Sequence, residues 1–199
     1  QKKVRFPSLG QAKRIDDLGA RIKLLCAAVD AAGKLAWACT ADTLIYAANR
    51  IPEIADDIVN IDRGMRWGFA WDMGPFETWD ALGVAESVAR MEADGKTVPA
   101  WVKAMLAAGR TSFYSRGANG KMTAWDPAKG QSYEVPLAPE WTYLADVRAG
   151  GGVVRSNGSS SLLDLGDGVA GLEFHSKMNA LDDEIIGQYE SALDELDSG

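Results

Sequence analysis

The 199-residue chain contains few side chains of the types that perform nucleophilic or acid–base chemistry near neutral pH. It has one histidine, His175, and two cysteines, Cys26 and Cys39. A single histidine excludes a histidine-based metal cluster and leaves one candidate for a catalytic triad. No nucleophile or orienting acid is spaced around His175, so we interpret it as a residue at a strand end. Cys26 and Cys39 are typical of small buried apolar side chains.

Carboxylates are the other candidates for chemistry, and they occur in two settings. The run Asp182-Asp183-Glu184 predicts the solvated first turn of a helix rather than an acid–base pair. Residues 60–83, NIDRGMRWGFAWDMGPFETWDALG, combine acids with aromatic residues and a Gly74-Pro75 turn. In this segment Glu77 and Asp80 favour the positive N-terminal end of the next helix. Phe76 and the tryptophans predict a core.

Helical spacing of apolar residues predicts the elements that position the first set of acids. Residues 17–50 indicate two helices, or one helix broken at Gly33. The aromatic stretch 66–76 predicts a compact packed loop. Further helical segments are predicted at residues 56–65, 78–82, 84–93 and 99–108.

After about residue 109 the pattern changes to short alternating runs, which predict strands at 112–115, 121–125 and 132–135. Residues 148–161, rich in Gly and Ser, indicate a linker or exposed loops. A hairpin is predicted around Gly166-Asp167-Gly168. The last predicted element is a helix with its apolar stripe on Leu181, Ile185, Tyr189 and Leu193.

Composition limits the class of protein. Hydrophobic residues make up 47% of the chain and charged residues 25%, which predicts a folded globular protein. The formal charge of −7 disfavours nucleic acid and anionic membranes as partners. No apolar run approaches the roughly 20 residues of a membrane span, and two cysteines suit a reducing compartment. We therefore expect a cytoplasmic protein with no membrane segment.

The acidic, aromatic segment resembles the C-terminal helical domain of 3-hydroxyacyl-CoA dehydrogenases, a fold of the 6-phosphogluconate dehydrogenase C-terminal type. The likeness runs from about Leu44 to GRTSFYS at residues 109–115, about half the chain. It implies that the motif residues serve mainly packing and contacts between subunits or domains. Those residues are Asp62, Gly68, Gly74, Pro75, Phe76, Glu77 and Asp80.

The same comparison implies that no catalytic residue or metal ligand is present. Active members of the family carry an Asn, usually followed by Arg, on an earlier helix. Counting back from Asp62 without gaps places Trp37 at that position and Ala38 after it. The pair Asn49-Arg50 lies too late, and we interpret it as surface residues near a helix end. The domain therefore resembles a second, non-catalytic copy.

A second likeness covers residues 161–196, which resemble the opening of the crotonase (enoyl-CoA hydratase) fold. In that family a first hairpin leads into an Asn-Ala-Leu loop beside the coenzyme A nucleotide. The resemblance implies a coenzyme A contact at Lys177, Asn179 and Ala180. An alternative remains open, in which Asn179 caps the helix that begins near Leu181.

Together these features predict a mainly α chain with three parts. They are a helical dehydrogenase C-terminal-like domain at 17–115, a small β appendix and Gly/Ser-rich linker at 116–160, and a truncated crotonase-type hairpin plus helix at 161–199. No G-x-G-x-x-G follows a strand, so a Rossmann nucleotide domain is not predicted here.

The combination implies a fragment of a bifunctional fatty-acid β-oxidation enzyme. The parent would be an oxidoreductase and lyase that oxidises 3-hydroxyacyl-CoA with NAD and hydrates 2-enoyl-CoA. The fragment is expected to be inactive and to bind no cofactor. Its expected partners are the remaining dehydrogenase and hydratase domains, with a possible homo-oligomer.

The alternative is a stand-alone helical interaction module that uses the aromatic loop 67–79. Burial of Trp67, Phe69, Trp71 and Trp79 would favour packing. Exposure of the four would favour a contact surface.

Overall fold

The computed structural model describes residues 5–117, 119–138 and 141–197, with the side chains of residues 179 and 197 left out. The described residues are about half helical and include two small sheets. It divides into an N-terminal unit, residues 1–115 and 123–133, and a C-terminal unit, residues 116–122 and 134–199. This architecture is compatible with the predicted mainly α class.

No single helix within the described ranges is long and apolar enough to cross a membrane. The segments Leu18–Ala27 and Ala31–Asn49 meet the length and composition criteria only as a pair, across a bend of 113°.

Three helices of the N-terminal unit begin where an aspartate side chain accepts a free backbone N–H group. Asp17, Asp30 and Asp57 each precede a helix and accept a hydrogen bond from a backbone N–H three residues on. In chain order the helices are α1 (Pro7–Ala12), α2 (Leu18–Ala27), α3 (Ala31–Asn49), α4 (Ile58–Phe69), α5 (Pro75–Leu82), α6 (Val84–Ala93) and α7 (Ala100–Ala107).

The first helical stretch is two helices, and the break lies before Gly33 rather than at it. Ala28 is extended, and Asp30 caps α3 through its bond from the Gly33 N–H, 2.9 Å long. A Cβ on Gly33 would lie 2.3 Å from the Ala28 carbonyl oxygen. Glycine is needed here because the chain turns back closely on the new helix. The predicted alternative of two helices is confirmed, and that of one helix broken at Gly33 is wrong.

Helix α4 is longer than predicted. Trp67 and Phe69 lie in its last turn, and Ala70 ends it with a φ of 54° in the left-handed region. Both aromatic side chains are exposed, so the predicted packed loop is wrong for residues 66–69. The aromatic composition suggested a loop, whereas the turn itself begins only at Ala70.

Four aromatic rings form the centre of the N-terminal unit. Phe113 lies between Phe76, Trp79 and Trp101, with ring centroids 5.0, 5.3 and 5.7 Å away. Phe76, Trp79 and Phe113 are fully buried. Rings in tilted or edge contact at this range add specific attraction to the burial of apolar area. Strands β1 (Tyr114–Arg116), β2 (Met122–Asp126) and β3 (Gln131–Glu134) then form a sheet in the order β1-β2-β3.

The C-terminal unit contains a second sheet. Helix α8 (Leu144–Ala149) is followed by β4 (Val153–Ser156), β5 (Ser160–Asp164) and β6 (Ala170–Phe174), in the order β4-β5-β6. The predicted hairpin is confirmed, with Leu162 opposite Leu172 in antiparallel register. The predicted linker is wrong in part because β4 pairs with β5. The glycines that suggested a linker are the turn between α8 and β4.

The last helix is α9 (Asp183–Asp197). Its buried side chains are Ile185, Gln188 and Ala192, whereas Tyr189 and Leu193 are exposed. The predicted apolar stripe is therefore rotated, and only Ile185 is common to both. The buried face includes a polar residue, Gln188, whose Nε2 donates to the Arg155 carbonyl. Because the prediction counted only apolar residues, it placed the buried face on the wrong side of the helix.

Candidate functional site

The acidic motif of the N-terminal unit assembles around the carboxylate of Asp62 on α4. Asp62 Oδ1 accepts the Phe76 N–H at 2.9 Å, and Oδ2 accepts the Glu77 N–H at 3.0 Å. Oδ2 also accepts the Tyr114 hydroxyl at 2.9 Å. Asp62 is only 3% exposed. It therefore satisfies free N–H groups at the start of α5 from a different helix, as a capping side chain would from within.

Gly74 and Glu77 complete the start of α5. The Glu77 carboxylate accepts the Gly74 N–H at 2.7 Å and is paired with Arg66 at 2.9 Å. A Cβ on Gly74 would lie 2.3 Å from the Asp62 carboxyl carbon. Pro75 occupies the first helical position, where no N–H is needed. The Gly-Pro-Phe-Glu sequence is thus a helix start shaped to admit a carboxylate.

Asp80 has a different role from the one that we predicted. It lies in the second half of α5, and its carboxylate accepts the N–H groups of Phe113 and Tyr114 at 2.7 and 2.8 Å. It does not stabilise the helix start. Instead it holds the segment that carries Phe113 into the aromatic core, a contact between residues more than 30 positions apart that no local pattern encodes.

Tyr114 joins the two carboxylates, because Asp62 holds its hydroxyl and Asp80 holds its N–H. Burial raises the pKa of Asp62 to about 7 and that of Asp80 to about 6. Burial and the neighbouring Asp62 also raise the pKa of Tyr114. Perturbed pKa values can mark reaction centres, but here every carboxylate oxygen is bonded to protein donors.

Trp37, which the ungapped count from Asp62 predicts at the place of the family's Asn, is buried and contacts polar groups on two sides. Its Nε1 donates to Asp94 at 2.6 Å. The Arg90 guanidinium lies 4.0 Å from the centre of its ring, and the same guanidinium donates to the Cys26 carbonyl. An indole held in this way stabilises contacts between α3 and α6. The indole N–H acts only as a hydrogen-bond donor.

The aromatic segment is divided between core and surface. Trp79 is fully buried, while Trp67, Phe69 and Trp71 are 67, 72 and 41% exposed. Gly68 lies between them on the exposed end of α4, and a Cβ there would meet nothing within 4 Å. The four aromatics therefore do not form one cluster, and the segment combines a packing part with an exposed part.

The residues predicted to contact coenzyme A lie in one turn of the C-terminal unit. Lys177 begins a short 3-10 turn, and the Ala180 N–H donates back to the Lys177 carbonyl at 3.3 Å. The Ala180 carbonyl accepts the Ser176 hydroxyl. The side chain of Asn179 lies outside the described residues. The cap of α9 is Asp182, which accepts the Ile185 N–H at 2.9 Å, so capping does not require Asn179.

His175 follows the last residue of β6, as predicted. Its Nε2 lies 3.0 Å from the Ser161 hydroxyl, and that hydroxyl is 2.9 Å from Ser156. The tertiary structure thus brings a hydroxyl to the histidine that spacing did not reveal. Ser161 is buried between strands, so this is a cross-strand hydrogen bond rather than an open nucleophile.

In the buried part of the motif, carboxylates and aromatic rings tie α4 and α5 to Phe113 and Tyr114. The chain is 40% identical over 195 residues, 98% of its length, to a protein of Bacillus subtilis (strain 168) named probable 3-hydroxyacyl-CoA dehydrogenase.

The matched residues span 24% of that relative, so the chain corresponds to about a quarter of it. No family model and no solved structure matches the chain. The similarity supports the dehydrogenase part of the resemblance seen in the sequence.

Proposed function

We propose that this chain is a non-catalytic structural module of a 3-hydroxyacyl-CoA dehydrogenase-type polypeptide. The observation that carries the proposal is that the polar groups of the motif are already hydrogen-bonded within the fold. Asp62 and Asp80 accept hydrogen bonds from backbone N–H groups and Tyr114. Trp37 occupies the place of the family's Asn between Arg90 and Asp94. Groups already bonded in this way hold a fold and are not free to move protons on a substrate.

The wider polypeptide, in this proposal, oxidises 3-hydroxyacyl-CoA with NAD bound outside these residues. The resemblance of residues 161–196 to a crotonase opening extends the proposal to a hydratase part that acts on 2-enoyl-CoA. Its support within the chain is the hairpin β5–β6 followed by the Lys177–Asn179 turn and α9. Lys177, Asn179 and Ala180 remain the proposed coenzyme A contacts, and a cytoplasmic location remains part of the proposal.

Activity assays on two polypeptides test this function. The isolated chain should neither oxidise NADH with acetoacetyl-CoA nor hydrate crotonyl-CoA above a buffer blank. A longer polypeptide from the same coding sequence should show the dehydrogenase reaction. Turnover by the isolated chain that disappears in Asp62→Asn would overturn the assignment, since it would make the network catalytic.

A second function is favoured by the exposure of Trp67 and Phe69. Exposed tryptophan beside arginine is typical of contact surfaces, and the Arg63 guanidinium lies 5.4 Å from the Trp67 ring centre. In this role the end of α4 contacts a second copy or another domain of the polypeptide. Light scattering over a range of concentrations tests self-contact. A mass that rises with concentration, and that Trp67→Ser with Phe69→Ser returns to the monomer value, supports it.

A further inference from the structure

A small pocket of about 130 Å³ lies in the N-terminal unit between α2, α3 and α6, with the end of α5 at one side. An apolar protein cavity of about 150 Å³ holds one benzene molecule, so this pocket suits a ligand of about the size of one substituted ring. The lining residues used below are Lys23, Cys26, Trp37, Leu82, Glu86, Ser87 and Arg90.

The floor of this pocket is apolar. Cys26, Trp37 and Leu82 are all buried. Burial raises the pKa of the Cys26 thiol, so the sulfur stays protonated and uncharged. Ser87 is also buried, and its hydroxyl donates to the Gly83 carbonyl within α6. The floor therefore favours the hydrocarbon part of a ligand, which gains free energy in proportion to the apolar area that it buries.

The rim of the pocket has an excess of positive charge. The two cations Lys23 and Arg90 stand against one acid, Glu86, and all three are exposed. The Glu86 carboxylate lies close to Gly83, at the start of α6, where the helix favours a negative charge. Among the residues that the structure describes, no carboxylate forms an ion pair with Lys23 or Arg90. An anion at the rim would therefore meet two cations without displacing an internal partner.

Arg90 is held in place where floor and rim meet. Its guanidinium lies 4.0 Å from the centre of the Trp37 ring and donates one N–H to the Cys26 carbonyl at 2.7 Å. A guanidinium has five N–H donors, so this bond leaves others for a ligand. Its planar fork matches the two oxygens of a carboxylate, and such charge-assisted bonds are stronger than those to neutral acceptors.

We propose that this pocket binds a small organic monocarboxylate with a compact apolar body, of about the size of benzoate. The apolar body contacts Trp37 and Leu82, and the carboxylate meets Arg90 with Lys23 beside it. The pocket is separate from the Asp62 network, and the proposal does not depend on the proposed function.

Trp37 provides a direct reporter because its ring lines the pocket. The full chain is titrated with sodium benzoate at constant ionic strength, and the Trp37 indole N–H signal, identified by its absence in Trp37→Phe, is followed by proton–nitrogen correlation NMR. The signal should shift and saturate, with a dissociation constant of about 1 mM or below. Benzamide lacks the charge and inorganic phosphate lacks the apolar body, so each should bind at least about fivefold more weakly.

Two charge reversals separate a local site from a general attraction of anions. Lys23→Glu should weaken benzoate at least about fivefold and leave benzamide unchanged. Lys13→Glu is the matched control, since Lys13 is also exposed, does not line the pocket and changes the net charge equally. It should change benzoate binding less than about twofold.

Three results would overturn the site. They are the absence of a saturating shift with benzoate, equal binding of benzoate and benzamide, and equal losses in Lys23→Glu and Lys13→Glu. Because Lys23 is exposed, its replacement leaves the buried floor intact, so a loss of binding there reports on the pocket rather than on unfolding.

Discussion

Two helices of this protein begin in nearly the same way but in different surroundings. At the start of α5, Asp62 accepts backbone N–H groups and the Tyr114 hydroxyl. At the start of α9, Asp182 accepts the Ile185 N–H and the Ser159 hydroxyl. Asp62 is buried, and burial raises its pKa to about 7. Asp182 is exposed, and its bond from Ser159 lowers its pKa. The pKa of a carboxylate at a helix start is thus raised where the group is buried and lowered where it is exposed and hydrogen-bonded.

The difference extends to the units that contain these helices. By sequence, the N-terminal unit has 16 basic and 15 acidic residues, whereas the C-terminal unit has 5 and 13. The first unit buries a ring cluster. In the second unit α9 leaves four large apolar side chains exposed, Ile186, Tyr189, Leu193 and Leu196. The excess negative charge of the sequence therefore lies in the C-terminal unit, where α9 also has an exposed apolar face.

The largest effect should come from removing the buried carboxylate. Asp62→Ala leaves the Phe76 N–H, the Glu77 N–H and the Tyr114 hydroxyl without a partner, and should lower the free energy of unfolding by about 3 to 5 kcal/mol. Urea denaturation followed by tryptophan fluorescence measures the loss. Asp182→Ala is the matched control and should cost much less, because water replaces its bonds. Equal losses would contradict the comparison.

Crowding at the same site gives the next effect. Gly74→Ala would place a Cβ against the Asp62 carboxylate and should destabilise the chain by about 1 to 3 kcal/mol. Gly68→Ala is the control, since nothing lies within 4 Å of its added Cβ and alanine favours a helix. It should be neutral or slightly stabilising. Thermal melting of both variants distinguishes crowding from a general intolerance of alanine.

The two units should respond oppositely to pH. The folded-state pKa values of Asp62 and Asp80, about 7 and 6, lie above their ordinary value of 3.8. At pH values between the ordinary pKa and the raised pKa, the folded unit binds more protons than the unfolded chain. Its stability should therefore rise as the pH falls from 8 to 5. Each group contributes at most about 1.4 kcal/mol per pH unit.

Asp182 acts in the other direction, because its lowered pKa adds stability that is lost as the pH falls below about 4. Hydrogen exchange resolved by peptide separates the two responses. Asp62→Asn should reduce the dependence between pH 5 and 8 in peptides of α4 and α5 to the part that Asp80 contributes, while leaving α9 unchanged. A slope of the opposite sign in α5 would refute the assignment of burial as the dominant cause.

The smallest effect is expected on the exposed face of α9. Leu193→Ser should change the free energy of unfolding by less than about 0.5 kcal/mol, because this side chain is 45% exposed. Ile185→Ala, on the buried face, should cost about 2 to 4 kcal/mol. Denaturation read at α9 by hydrogen exchange compares the two. A large cost at Leu193 would show that this face is covered in solution.

Local patterns predicted much of the fold. Helix α6 has the predicted bounds of residues 84–93, and the β5–β6 hairpin forms around its Gly-Asp-Gly turn. Elements without a strong hydrophobic period were not predicted. An example is β4, which is exposed throughout and is a strand because it pairs with β5. The buried face of α9 was also predicted wrongly, because it includes the polar residue Gln188, which is hydrogen-bonded to a carbonyl distant in sequence.

By itself, the sequence determined that Gly74-Pro75 forms a turn ahead of a helix, and it placed Glu77 near the start of that helix. Those features depend on neighbours along the chain, whose φ angles and side-chain acceptors act within one turn. Only the tertiary structure decided that Asp62 completes this start and that Asp80 holds Phe113. These contacts join residues far apart in sequence. Their strength and protonation depend on burial, a property of the assembled fold.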